Sequence, residues 1–281
     1  MARLSLFPAL LLVAAAILPA NAATTPVEIP FTFTDGFIRL EVHVPQSVEP
    51  LHLLLDSGAG ASVLSLETAQ RLHLPLGKTE NVQGVGVEVA AYHLRGVRAS
   101  AKGVNLAEIP LAVDLSAAAE LCSEPVDGLI GVDFFRDRVV QIDYVHHKLR
   151  LSATAPGKTA DRLPIRFLNG VMCVPLSVND SPNRWARFDT GCNDALHWVI
   201  PRSNPHGDHN AVSIGFVTDE SDTALLSVML GRHPLHTVKA DLHSRPIFPG
   251  EAGLLGNGIL SQFTVTVDWP NRQVLFEDAP K

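Results

Sequence analysis

The chain presents the same landmarks twice, in the same order, and this internal repeat constrains its fold more than any other feature. Asp56-Ser57-Gly58 in "LLLDSGAG" returns as Asp189-Thr190-Gly191 in "ARFDTGCN". Downstream of the first triplet lies Gly128-Leu129-Ile130-Gly131, and downstream of the second lies Gly253-Leu254-Leu255-Gly256. Asp143 returns as Asp268 at the same offset as the glycine segments. The stretches that enter each half agree as well. Asp35-Gly36 and Asn169-Gly170 each sit between alternating apolar residues, and such dipeptides favour two-residue hairpin turns. The repeat predicts two homologous lobes, 27–152 and 161–278, with a polar linker at 153–160.

Within each lobe short alternating apolar runs are separated by Gly, Pro and Asn, which predicts an all-β architecture with small helical additions. One helix is expected from Ser65, where a serine caps "LETAQRLHL", and a shorter one at "VDFFRD". After the second triplet the corresponding helix is expected to be missing or replaced by "HWVIPRSNPHGDHN".

The first 22 residues belong to a different problem. They hold one cation (Arg3), the apolar run "LLLVAAAIL" and the small-residue stretch "ANA", the pattern of a cleaved secretory signal at 1–22. Export, to the periplasm or the medium, is the expectation, with no membrane attachment after cleavage. Loss of Arg3 takes the formal net charge from −7 to −8, and no basic cluster occurs, which argues against nucleic acid as a partner.

The remaining chain has three cysteines, Cys122, Cys173 and Cys192. In an exported protein an odd number allows one internal disulfide and a free thiol. If "NDSPN" closes a hairpin that places residue 173 opposite 190, Cys173 and Cys192 come within disulfide reach. No zinc-finger spacing is present. His206, Asp208 and His209 in "PHGDHN" have no helix or strand to aim them together, so no metal is expected.

Asp56 stands at the end of an apolar run, where a charge is costly unless it has a task. If the two lobes pack about a pseudo-twofold axis, Asp56 and Asp189 meet in the crevice. Two carboxyls in contact share a proton, so one can act as base while the other acts as acid. Ser57 and Thr190 offer hydroxyls to tie the loops together. Gly58 and Gly191 let the backbone approach a carboxylate closely.

These paired triplets with their Gly-apolar-apolar-Gly partners resemble the aspartic protease superfamily, in its retropepsin-like branch, with two lobes in one chain. The resemblance covers nearly all of the mature chain. It implies two β-barrel-like lobes about a cleft, with Asp56 and Asp189 as the catalytic pair and Ser57, Gly58, Thr190 and Gly191 as support. It implies peptide or protein substrates, no cofactor, and a monomer, since each chain carries both triplets. A flap is implied at 81–96, with Gly84, Val85 and Gly86 over the substrate, and a less clear counterpart at 210–227. Cys192-Asn193 after the second triplet departs from the family pattern. That departure motivates an alternative, a non-catalytic module that binds peptide or cell-wall material on the same scaffold.

Overall fold

The structure, a computed structural model, describes residues 26–84, 88–152, 154–155, 160–200, 212–213, 216–217 and 222–279. The signal segment and most of the 153–160 linker lie outside the described residues.

Asp35 (φ 57°) and Gly36 (φ 81°) both take left-handed backbone, as do Asn169 (φ 48°) and Gly170 (φ 81°). Two consecutive positive φ values match the right-handed twist of a hairpin. The first pair joins strands Thr32–Thr34 and Phe37–Val42, and the second joins Arg166–Leu168 and Val171–Val178.

Each of these hairpins opens a larger sheet. Eight strands between Thr32 and Ile130 form one sheet, and seven strands between Arg166 and Leu255 form another. In the first, Leu51–Leu55 lies parallel to Gly128–Ile130, with Leu53 beside Gly128 and Leu55 beside Ile130. In the second, Arg184–Phe188 lies parallel to Gly253–Leu255, with Arg187 beside Leu254. Each glycine segment also pairs on its other side, with Val63–Ser65 in the first sheet and Leu196–Val199 in the second. The strand that feeds each Asp triplet therefore sits inside a sheet, which explains the buried apolar residues that lead into it, Leu53, Leu54 and Leu55 in the first half and Ala186 and Phe188 in the second. Close backbone approach explains the glycines. A Cβ at Gly128 would lie 2.3 Å from the Val63 carbonyl oxygen, and one at Gly253 1.9 Å from that of His197.

A third sheet of six strands joins the two halves. Its order is Val27–Pro30, Lys148–Ser152, Val139–Asp143, Phe263–Asp268, Gln273–Asp278, Asp161–Pro164. The two central strands, one from each half, are antiparallel with Gln141 opposite Thr266, so the sheet has an approximate twofold axis at its middle. Val140, Ile142, Val265 and Val267 are fully buried beneath it, in one apolar core continuous with residues of both halves.

The helix after Ser65 runs Leu66–Arg71, with the Ser65 hydroxyl accepting from the Thr68 amide at 3.0 Å. "VDFFRD" forms a short 3-10 turn at Val132–Phe134, and Asn257–Leu260 is a helical turn at the matching place in the second half. The first part of "HWVIPRSNPHGDHN" is the strand Leu196–Val199, because Val199 and its neighbours pair with His233–His243; 201–211 lies outside the described residues. One expectation for the second half, the disulfide, is corrected. The Cys173–Cys192 disulfide is absent, and all three cysteines are free thiols. The hairpin register places Cys173 opposite Arg187 and Leu176 opposite Arg184, three residues from the expected pairing. The strand ends at Phe188, and the Cys192 sulfur packs instead behind the loop, 2.8 Å from where a Cβ on Gly256 would stand.

Candidate active site

The two triplets leave their sheets at equivalent points and cross-link at once. Asp56 donates its amide to the Ile130 carbonyl at 2.9 Å, and Asp189 donates to Leu255 at 3.0 Å. The Ser57 hydroxyl donates to the Phe188 carbonyl (2.8 Å) and accepts from the Thr190 amide (3.0 Å). Reciprocally, the Thr190 hydroxyl donates to the Leu55 carbonyl (2.8 Å) and accepts from the Ser57 amide (2.9 Å). Both hydroxyl residues are fully buried, so every one of these bonds is made out of reach of water.

This clamp brings the two carboxyl groups together. A Cβ at Gly58 would lie 2.5 Å from the Asp189 carboxyl, and one at Gly191 2.4 Å from that of Asp56. Any side chain at either glycine would displace the pair. The two carboxyl groups therefore face each other in the crevice, close enough for the charge of one to bear on the other. Burial raises both above the usual carboxylate range; for Asp189, burial and then the Asp56 charge push it up to about 7.

The surroundings divide the shared proton unequally. Asp56 Oδ1 accepts from two amides, Gly58 at 3.0 Å and Ala59 at 2.9 Å, whereas Asp189 Oδ1 accepts from Gly191 alone at 2.9 Å. Amide donors favour the ionised form. The proton accordingly resides on Asp189, and Asp56 is the carboxylate.

Three further side chains fix the loops, and the motifs alone did not reveal them. Arg187, two residues before Asp189, is buried and donates from Nη1 to the Gly58 carbonyl across the crevice at 2.8 Å. Its Nε and Nη2 form a bidentate pair with Glu251, both at 2.8 Å. The Arg187 charge opposes the upward push of burial on both aspartates. Asn257, immediately after the second Gly-Leu-Leu-Gly, donates to the Gly36 carbonyl (2.8 Å) and the Thr190 carbonyl (2.7 Å), and its Oδ1 accepts from the Tyr144 hydroxyl (2.8 Å). The sequence signal for Arg187 was a cation inside "WARFDTG", a run that otherwise reads as a buried strand.

A cleft of about 600 Å³ opens over the aspartates, within the range of ligand sites. Its first-half wall is apolar, built by Val63, Leu111, Val113 and Leu129, and its second-half wall carries Asn169, Arg187 and Phe248. The hairpin of Thr79–Gln83 and Glu88–His93 overhangs it, with Val82, Gly84 and Val89 in the lining. Of the expected flap residues, Gly84 is therefore at the cleft, while Val85 and Gly86 lie outside the described residues. Much of the second flap expected at 210–227 does too, although Asp222–Leu230 is a strand paired to His233–His243.

Residues 40–134, which include the first triplet and its glycine segment, match the family model described as aspartyl protease. The fold extends the likeness across both halves. The crystal structure of an aspartic proteinase from Irpex lacteus superposes with a TM-score of 0.56, covering 90% of this chain and 97% of that one at 11% identity. The likeness by sequence thus covers much of the first half, and the fold of the whole chain is similar to that of an aspartic proteinase. No curated protein matches this chain by sequence. One triplet stands at the end of a strand in each half. The two triplets are alike in their clamp and unlike in their neighbours. Asp56 has the extra amide, while the second half supplies the buried cation.

Proposed function

We propose that this chain is an exported aspartic endopeptidase in which Asp56 and Asp189 together activate water against a peptide bond. The observation that carries the reading is the close approach of the Asp56 and Asp189 carboxyls inside a buried, cross-linked crevice. A water admitted between the two loses a proton to the Asp56 carboxylate as its oxygen adds to the carbonyl carbon. Asp189 gives its proton to the carbonyl oxygen, forming a neutral tetrahedral diol. Collapse of the diol returns one hydroxyl proton to Asp189 as the C–N bond breaks, and the departing nitrogen takes the proton held by Asp56. Both carboxyls end as they began, and no metal or covalent intermediate is required.

The apolar wall of Val63, Leu111, Val113 and Leu129 favours substrates with an apolar side chain beside the cut bond. The 79–93 hairpin offers a strand edge against which an extended peptide can lie. The signal pattern at 1–22 supports export, and two triplets in one chain support action as a monomer. The carboxyl contact weighs against the non-catalytic module, which has no use for a carboxyl pair sharing one proton.

The test is cleavage of a denatured protein by the mature chain. Asp56→Asn and Asp189→Asn are each expected to abolish it with the fold retained by circular dichroism. Full activity in either variant overturns the assignment. The reaction needs one proton on the pair, so wild-type activity should fall as pH rises through about 7, where Asp189 gives up that proton.

A further inference from the structure

Behind the second triplet, on the side away from the cleft walls, chemistry-bearing side chains converge that the hydrolytic mechanism does not use. Cys192, Asp194 and His197 each offer one donor atom, and these lie within 4.8 Å of one another. Strand pairing adds a fourth residue, because Leu196–Val199 runs parallel to His233–His243 with His197 directly beside Asp241. His197 Nε2 is 3.2 Å from an Asp194 oxygen and 4.0 Å from an Asp241 oxygen. We propose that Cys192, Asp194, His197 and Asp241 form a binding site for one zinc-class divalent ion.

The donor set matches that class of metal. A thiol and an imidazole favour borderline ions such as zinc, whereas calcium and magnesium take oxygen alone. Zinc bond lengths imply donor-to-donor edges of about 3.3–3.8 Å in a tetrahedron. Side-chain adjustments of about 1 Å bring the present spacing to that geometry.

The neighbours suit a ligand role. His197 is 1% exposed, and its Nδ1 lies 3.0 Å from His243 Nε2, a bond that orients the ring and leaves Nε2 facing the carboxylates. Metal-bound histidines are held in this way through the second nitrogen. The Cys192 sulfur sits in the space that Gly256 leaves open, beside the Asp194 carboxylate. Asp194, 42% exposed, provides the entry path. On binding, the Cys192 thiol releases its proton to solvent, and the thiolate and both carboxylates then face the cation.

Cobalt(II) and zinc(II) titrations of the chelator-treated mature protein test the site. One equivalent of cobalt should bind and give a thiolate-to-cobalt charge-transfer band, and zinc should displace it. Cys192→Ser should lose the band, and Asp194→Asn and His197→Gln should each weaken zinc binding by about tenfold or more. His206→Ala/His209→Ala should keep both band and affinity. Absence of stoichiometric binding, cobalt binding without the band, or unchanged affinity in the Asp194 and His197 variants overturns the proposal. If Cys192→Ser does not fold, the wild-type band and the half-exposed Asp194→Asn variant still decide it. Asp56→Asn should bind metal like the wild type, so failure of the protease reading and failure of this one are separable.

Discussion

With its guanidinium 3.3 Å from the centre of the Phe248 ring, paired twice with Glu251 and bonded to the Gly58 carbonyl, Arg187 is a buried cation beside two buried acids. Its burial is sustainable only because Glu251 compensates the charge and the remaining donors are used. Arg187→Met alone leaves Glu251 buried and unpaired, and chemical denaturation should show a loss of about 3–5 kcal/mol. Arg187→Met/Glu251→Gln removes that penalty and isolates the electrostatic effect on the dyad. Without the Arg187 charge both aspartates hold their protons more tightly, so the pH–activity profile of the double variant should move to higher pH. A profile that stays in place would show that Arg187 serves packing alone.

At the scale of the element, each Asp-bearing loop is the exit of a parallel-paired strand, and the two exits are locked by the Ser57–Thr190 exchange. Each hydroxyl both donates and accepts, so deleting one strands donors or acceptors belonging to the other loop. A double-mutant cycle on Ser57→Ala and Thr190→Val should therefore give a coupling energy of about 0.5–3 kcal/mol in urea denaturation. Additive effects would mean that the loops are held independently. Both hairpin turns and the Ser65 cap were legible in the sequence because they depend on local backbone preference. The hairpin register at Cys173 was not, since a turn of several residues leaves several pairings open until the sheet around them selects one.

On the scale of the whole molecule, the six-stranded sheet makes each half the partner of the other. Val139–Asp143 and Phe263–Asp268 pair at its centre, and separation would expose two apolar edge strands. Asn257 and Asn193 add bonds from the second half to the Gly36 and Asp35 carbonyls of the first. If the halves are expressed together as separate chains broken within 153–160, they should elute as one heterodimer in size-exclusion chromatography. Either half alone should aggregate. Two folded, independently eluting halves would contradict a shared core.

The sequence by itself determined the repeat, the all-β character, the hairpin turns and the identity of the two triplets, because each is written in local spacing and residue type. It also carried the pairing of Asp56 with Asp189 through symmetry. Only the tertiary structure decided how that pair divides its proton, since the extra amide on Asp56 and the buried Arg187 come from packing that the repeat does not encode. It likewise decided that Cys192 faces away from Cys173 and toward Asp194, His197 and Asp241. Asp241 lies far along the chain from that loop, and parallel strand pairing alone sets it beside His197.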